Sequence, residues 1–148
     1  RFKSSVKLRF DMPLISTKGV YGLTAMYELS KYQEDTPMQI KEISANANIP
    51  QNYLEQLLSK LRRAELVKSI RGARGGYILA RNPSEIKVVD ILIALEDDIK
   101  IIDVKAENPI LNIFFDESKN SMKKIFDISL DKLDEYQDKY NEFLHYNI

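Results

Sequence analysis

Two short runs of strand character, Leu66-Val67-Lys68-Ser69-Ile70 and Tyr77-Ile78-Leu79-Ala80, flank the segment Arg71-Gly72-Ala73-Arg74-Gly75-Gly76, which holds three of the chain's five glycines. Glycine reaches positive φ without a Cβ penalty, so the segment predicts the tip of a β-hairpin. Between Ser16 and Ala64 the apolar residues follow a helical period instead, broken by turns. A hairpin that follows helices directly, with no crossover, leaves few folds open.

The helical part divides into three. Ser16-Thr17-Lys18 opens a stretch with Val20, Leu23, Met26, Tyr27 and Leu29, running to about Tyr32 and ending in the polar turn Gln33–Pro37. Ile40, Ile43 and Ala47 then mark about two helical turns. Asn46-Ala47-Asn48-Ile49-Pro50 breaks the pattern, because proline disfavours the α conformation in the residue before it. A third helix follows from about Gln51 to Ala64. A tight break between the second and third helices is the mark of a helix-turn-helix, and the hairpin after it supplies a wing.

Beyond Asn82-Pro83-Ser84 the chain is helical again. Val88 to Leu95 is apolar nearly all round, which predicts a helix buried between two bodies. Ile99–Glu107 shows no clear period. Asn108-Pro109 reads as an N-cap followed by proline in the first turn. Leu111, Phe115, Ser118, Met122 and Ile125 then recur at intervals of four and three, a narrow seam suited to dimerisation. A last helix, capped by Ser129, carries Leu133, Tyr136, Tyr140 and Phe143. The expected fold class is mainly α with a small β-hairpin: a winged helix-turn-helix domain plus a long helical dimerisation arm. Arg1–Asp11 reads as a vector-derived tag or loose leader ahead of Met12. The expected division is therefore a leader at 1–12, the winged domain at 13–83 and a dimerisation and regulatory region at 84–148.

Composition excludes much. The chain has no cysteine and a single histidine, His145, three residues from the end. That removes disulfides, thiol catalysis, Cys/His zinc sites and cysteine-ligated iron–sulfur clusters. No nucleophile–base pair or metal-ligand cluster stands out, so an enzyme is not expected, and neither is a cofactor. No apolar run approaches the roughly 20 residues that cross a bilayer, and no secretory signal is present, so a cytoplasmic protein is expected.

Net charge is zero but unevenly spread. Residues 1–84 hold 14 Lys/Arg against 7 Asp/Glu, whereas residues 85–148 hold 8 lysines against 15 acids. The front half suits a polyanion and the rear half would repel one. On a helical wheel, Leu54, Leu57, Leu58 and Leu61 share one side of the third helix and Asn52, Glu55, Gln56, Ser59 and Arg63 the other. Asn and Gln can bond adenine in two places, and Glu can accept from the cytosine amino group. Lys60, Arg62 and Arg63, at the C-terminal end, are placed to meet phosphates. Arg71 and Arg74 on the hairpin tip can reach a minor groove or a phosphate. An ordinary solvated helix face is the plain alternative. The neighbouring short helix and basic hairpin weigh against it.

Ser16-Thr17-Lys18-Gly19, Tyr53-Leu54-Glu55-Gln56-Leu57 and Arg71-Gly72-Ala73-Arg74-Gly75-Gly76-Tyr77 together resemble the Rrf2 family of bacterial transcription regulators, closely over residues 14–96 and loosely afterwards. The resemblance implies a winged-helix homodimer, with the long helix near residues 109–127 crossing its mate and the wings gripping a palindromic operator in double-stranded DNA. It implies base reading by Asn52, Glu55 and Gln56, groove insertion by Arg71, and backbone contact by Lys18 and Tyr53. Many members hold an iron–sulfur cluster through three cysteines after the buried helix. Glu96–Phe114, the matching region, has none, which implies the cluster-free branch, regulated through a cysteine-biosynthesis enzyme or a small effector. Glu96-Asp97-Asp98-Ile99 departs from that branch's usual Glu-Gly-Pro-Ile, and Val20 stands where most members have arginine.

The expected function is thus sequence-specific DNA binding as a homodimeric regulator, a repressor by expectation. The competing reading is a winged-helix interaction module that acts on a metabolic enzyme partner.

Overall fold

The computed structural model describes residues 13–32 and 35–147. The expected leader at 1–12 lies outside the described residues. The elements in order are α1 (Thr17–Ser30), α2 (Ile40–Ala47), α3 (Gln51–Arg63), β1 (Val67–Ile70), β2 (Gly76–Leu79), α4 (Val88–Glu96), α5 (Pro109–Ile125) and α6 (Glu135–Tyr146), with 3₁₀ turns at Pro83–Glu85 and Leu130–Asp134. This is the winged helix-turn-helix with a helical extension that the sequence predicts.

One apolar core holds the molecule together. Met26 and Leu29 of α1, Ile43 of α2 and Leu54, Leu57, Leu58 and Leu61 of α3 meet Ile91 and Leu95 of α4. Leu130 joins the same core, so it continues across residue 83, although α5 and α6 add no buried residue to it. Among the described residues no buried side chain is polar or charged. Gly22 lets α1 and α4 approach closely, since a Cβ there would overlap the Leu95 side chain.

Each boundary in the N-terminal half has a local cause. α2 ends where Asn48 adopts the left-handed conformation at φ 54°. Asn is one of the few residues that reaches this region at low cost. Ile49 is then buried as a plug, and the Ser44 hydroxyl donates to its carbonyl at 2.6 Å. The break thus falls one residue before the position that proline restricts. α3 closes with paired backbone bonds, Leu66 N–H to the Leu61 carbonyl at 2.9 Å and Glu65 N–H to the Arg62 carbonyl at 3.0 Å. That is a Schellman motif, with Leu66 and Leu61 both buried.

β1 and β2 pair antiparallel with Val67 opposite Leu79 and Ile70 opposite Gly76. Downstream, the first N–H groups of α4 find carbonyls outside the helix. Val88 donates to Ile128 at 2.8 Å and Val89 to Phe126 at 2.9 Å, which pins the end of α5 to the start of α4. The Asn108 side chain accepts from Ile110 N–H at 2.9 Å and caps α5, as the Asn-Pro pair predicts. The last helix differs from expectation at its start. Leu130 is buried and donates its N–H to the Ile86 carbonyl at 2.8 Å, so Ser129 opens a 3₁₀ turn and the α-helix begins only at Glu135.

Candidate nucleic-acid interface

The leucines of α3 all face the core, which leaves Asn52, Glu55 and Gln56 exposed along its outer side. Ser59 and Lys60 are half-buried, and Arg62 and Arg63 are open to solvent. Ser59 and Arg63 act as a pair, for the guanidinium donates to the Ser59 hydroxyl at 3.2 Å. Tyr53 meets Tyr21 edge to face, with centroids 5.7 Å apart and planes at 79°. This contact sets the first turn of α3 beside α1, whose own first turn carries Lys18.

At the far end of the hairpin Arg71 and Arg74 are exposed. Gly72 lies at φ 110°, and the Gly75 N–H donates to the Gly72 carbonyl at 3.0 Å to close the tip. Two further basic residues lie on this surface, to which the sequence pattern gave no separate contact role. Lys68 and Arg81, both exposed, line a trough with Arg62 and Glu65 along β1. Strand alternation was the available signal, since Val67 points into the core and Lys68 must point away. The ion pairs among the described residues join Lys31 to Glu28, Lys87 to Asp127, Lys119 and Lys123 to Asp98, and Lys132 to Glu135. The basic side chains of α3 and the hairpin therefore keep their charge available to an external anion.

The seam residues separate on α5. Leu111 and Ile125 are exposed, by 47% and 70%, whereas Phe115 and Met122 are half-buried against their own chain. Ile110, Ile113 and Phe114, absent from the seam, join the exposed stripe, and no residue of α5 is fully buried. Tyr136, Tyr140 and Phe143 of α6 are exposed as well. Among the described residues no helix is long and apolar enough to cross a membrane.

The sequence matches the Rrf2 family, described as iron-dependent transcriptional regulators, over residues 15–145. The donors for iron do not fit. The chain has no cysteine and one histidine, and among the described residues no three His, Asp or Glu side chains gather closely enough to hold a metal. The HTH-type transcriptional regulator CymR of Bacillus subtilis (strain 168) is 42% identical over 130 residues, 86% of this chain and 94% of that protein. The HTH-type transcriptional regulator IscR of Photorhabdus laumondii is 38% identical over 85 residues, 57% of this chain and 52% of that protein. Among solved structures, that of CymR, the global cysteine regulator of B. subtilis, superposes with a TM-score of 0.73 at 41% identity, covering 82% of this chain and 96% of that one. IscR of T. potens superposes with a TM-score of 0.70 at 39% identity, covering 83% of this chain and 87% of that one. The exposed polar face of α3, the basic wing and these likenesses agree: the chain belongs to the Rrf2 family of helix-turn-helix transcription regulators.

Proposed function

We propose that the chain works in the cytoplasm as a homodimeric repressor that reads a palindromic operator, with α3 in the major groove and the wing tip in the neighbouring minor groove. The observation that carries this is the division of α3 into a leucine face locked in the core and an outer face of Asn52, Glu55 and Gln56, flanked by cations that form no ion pair among the described residues. Base-edge contacts give specificity, and Lys18, Tyr53, Lys60, Arg62, Arg63, Lys68, Arg74 and Arg81 give affinity through phosphates. Arg71 enters the minor groove.

A single recognition helix reads only a few base pairs, so two copies are needed for a site of useful length. The exposed apolar stripe of α5 supports a second copy as its cover, since a lone chain leaves Ile110, Ile113 and Phe114 in water. The likeness to a protein described as a global cysteine regulator supports cysteine supply as the signal, delivered by a cysteine-biosynthesis enzyme or a small effector rather than by iron.

The test is an anisotropy titration of the full chain against its own upstream region and unrelated fragments at two salt concentrations. Affinity in about the nanomolar range for one fragment, falling steeply with salt, is the expected result. Uniformly weak, salt-insensitive binding, with a metabolic enzyme co-purifying, would instead favour the interaction module.

A further inference from the structure

Glu96, the last residue of α4, caps a helix whose N-cap, Ser16, lies 80 residues earlier in the chain. Its Oε1 accepts from the Ser16 amide at 2.8 Å, from the Ser16 hydroxyl at 2.6 Å and from the Gly19 amide at 3.1 Å. Ser16 occupies the N-cap position of α1 but gives its hydroxyl to Glu96 instead of capping the helix itself. A carboxylate in this position answers both the unpaired N–H groups and the positive end of the helix dipole. The fit is close. A Cβ at Gly19 would come within 2.5 Å of the same Oε1 and 2.6 Å of Ile15 Cγ2.

Two residues later the chain grips α5. Asp98 Oδ2 meets Lys119 Nζ at 2.6 Å and Oδ1 meets Lys123 Nζ at 3.3 Å, on successive turns of that helix. Between the two carboxylates Asp97 lies at φ 64°, so α4 stops and the backbone turns at that residue. Phe126 and Ile128, just past the same C-terminal end of α5, are bonded to the opposite end of α4, its first turn. Three residues therefore join the first turn of α1 to α5, and α5 cannot slide along α4 without breaking one set of bonds or the other. α1 in turn orients α3 through the Tyr21–Tyr53 contact.

We propose that Glu96 and Asp98 are positioning residues for DNA recognition, through which the placement of α5 sets the separation of the two recognition helices in the dimer. This rests on the reading of the chain as a DNA-binding homodimer joined through α5. Neither carboxylate touches DNA; each acts through a helix end. The joint is also the place where a signal that shifts α5 would reach α1.

The test uses the full chain and a palindromic duplex that the wild type selects from a random-sequence pool, together with duplexes whose half-sites stand one base pair closer or farther apart. Wild type, E96A, E96Q, D98A and D98N are compared by anisotropy, with dimer mass from light scattering and folding from circular dichroism. E96Q keeps an oxygen acceptor, and D98N keeps the shape without the charge. The expected result is that E96A and D98A stay folded and dimeric but weaken on the selected spacing by about tenfold, so that their preference among spacings flattens. E96Q should recover most of that preference, and binding to random DNA should not change. Variants with the wild-type spacing preference, or with an equal loss on every duplex including random DNA, would overturn the positioning role alone. A wild-type chain that selects no duplex or stays monomeric would overturn the DNA-binding dimer and this proposal together.

Discussion

Tyr77 and Met38 exchange both of their backbone hydrogen bonds, Met38 N–H to the Tyr77 carbonyl at 2.9 Å and Tyr77 N–H to the Met38 carbonyl at 2.8 Å. β2 is therefore held on two sides, by β1 on one edge and by the residues leading into α2 on the other. Met38 is itself fully buried, so the root of the wing is tied to the core while its tip remains in solvent. In the proposed complex with DNA a recognition helix and a wing grip adjacent grooves together, and this bridge ties the wing to the core against which α3 packs.

Gly76 should not tolerate a side chain. It lies at φ 155°, and a Cβ there would run into the Met38 carbonyl oxygen. Gly76→Ala is expected to cost about 1–3 kcal/mol as backbone and wing shift apart. Urea unfolding measures the loss, and operator affinity should fall with it. Unchanged stability would mean that the wing root is looser than its hydrogen bonds imply.

Glu65 offers the opposite case. It is the left-handed residue of the Schellman motif, at φ 59°, where glycine is the usual occupant. Glu65→Gly removes a Cβ penalty of about 1 kcal/mol and also removes the one acid from the basic trough. Thermal unfolding should shift upward and DNA affinity should rise. A lower midpoint would show that the added freedom of the unfolded chain outweighs the relieved strain.

Base readers and phosphate contacts should be separable. Gln56→Ala is expected to cost about 1–3 kcal/mol on the operator and to relax specificity at one position. Lys68→Ala and Arg81→Ala should weaken binding to all sequences alike and each lower the salt slope by about 1. Competition titrations with single-base operator variants at several salt concentrations distinguish the two patterns.

Acid should undo the Asp98 contacts with α5. The hydrogen bond from Lys119 is the chief cause that holds the Asp98 carboxyl at about 2 instead of 3.8; bonds from Ile99 N–H and Lys123 add to it and partial burial opposes it. A lowered folded-state pKa means the stabilisation is fully present above about pH 4 and is lost as the pH falls towards about 2. For a side chain about a third open to water the contribution is about 1 kcal/mol after allowance for screening. Asp98→Asn should therefore be less stable than wild type near neutral pH. The gap should close in urea titrations run below pH 4. A gap that persists at about pH 2 would place the effect elsewhere.

The stripe on α5 can be charged without touching the core, because no residue of that helix is fully buried. Ile113→Asp and Phe114→Asp should leave circular dichroism intact but shift the mass in light scattering from dimer to monomer. Operator affinity should then drop by at least about tenfold, since half of the paired contacts are lost. Dimers of wild-type strength would move the interface to another face.

What local pattern alone determined is the run of helices, a break within Asn46–Pro50 and the hairpin with its glycine tip. A period of 3.6 or 2 and a left-handed residue are written into a few neighbouring positions. The split of α3 into Leu54, Leu57, Leu58 and Leu61 against Asn52, Glu55 and Gln56 was legible for the same reason. The orientation of α5 was not. Intervals of four and three picked out Leu111, Phe115, Met122 and Ile125 as a dimerisation seam, while Ile110, Ile113 and Phe114 put apolar surface beside it. Only the tertiary structure decided which of these face outward, by docking Phe115 and Met122 partly against their own chain. It decided the role of Glu96 as well, since a cap supplied from 80 residues away leaves no trace in the period of either helix. Long-range hydrogen bonds depend on where two backbones come to rest against a shared core, and here that core, with Gly22 under Leu95, sets the distance at which Glu96 reaches Ser16.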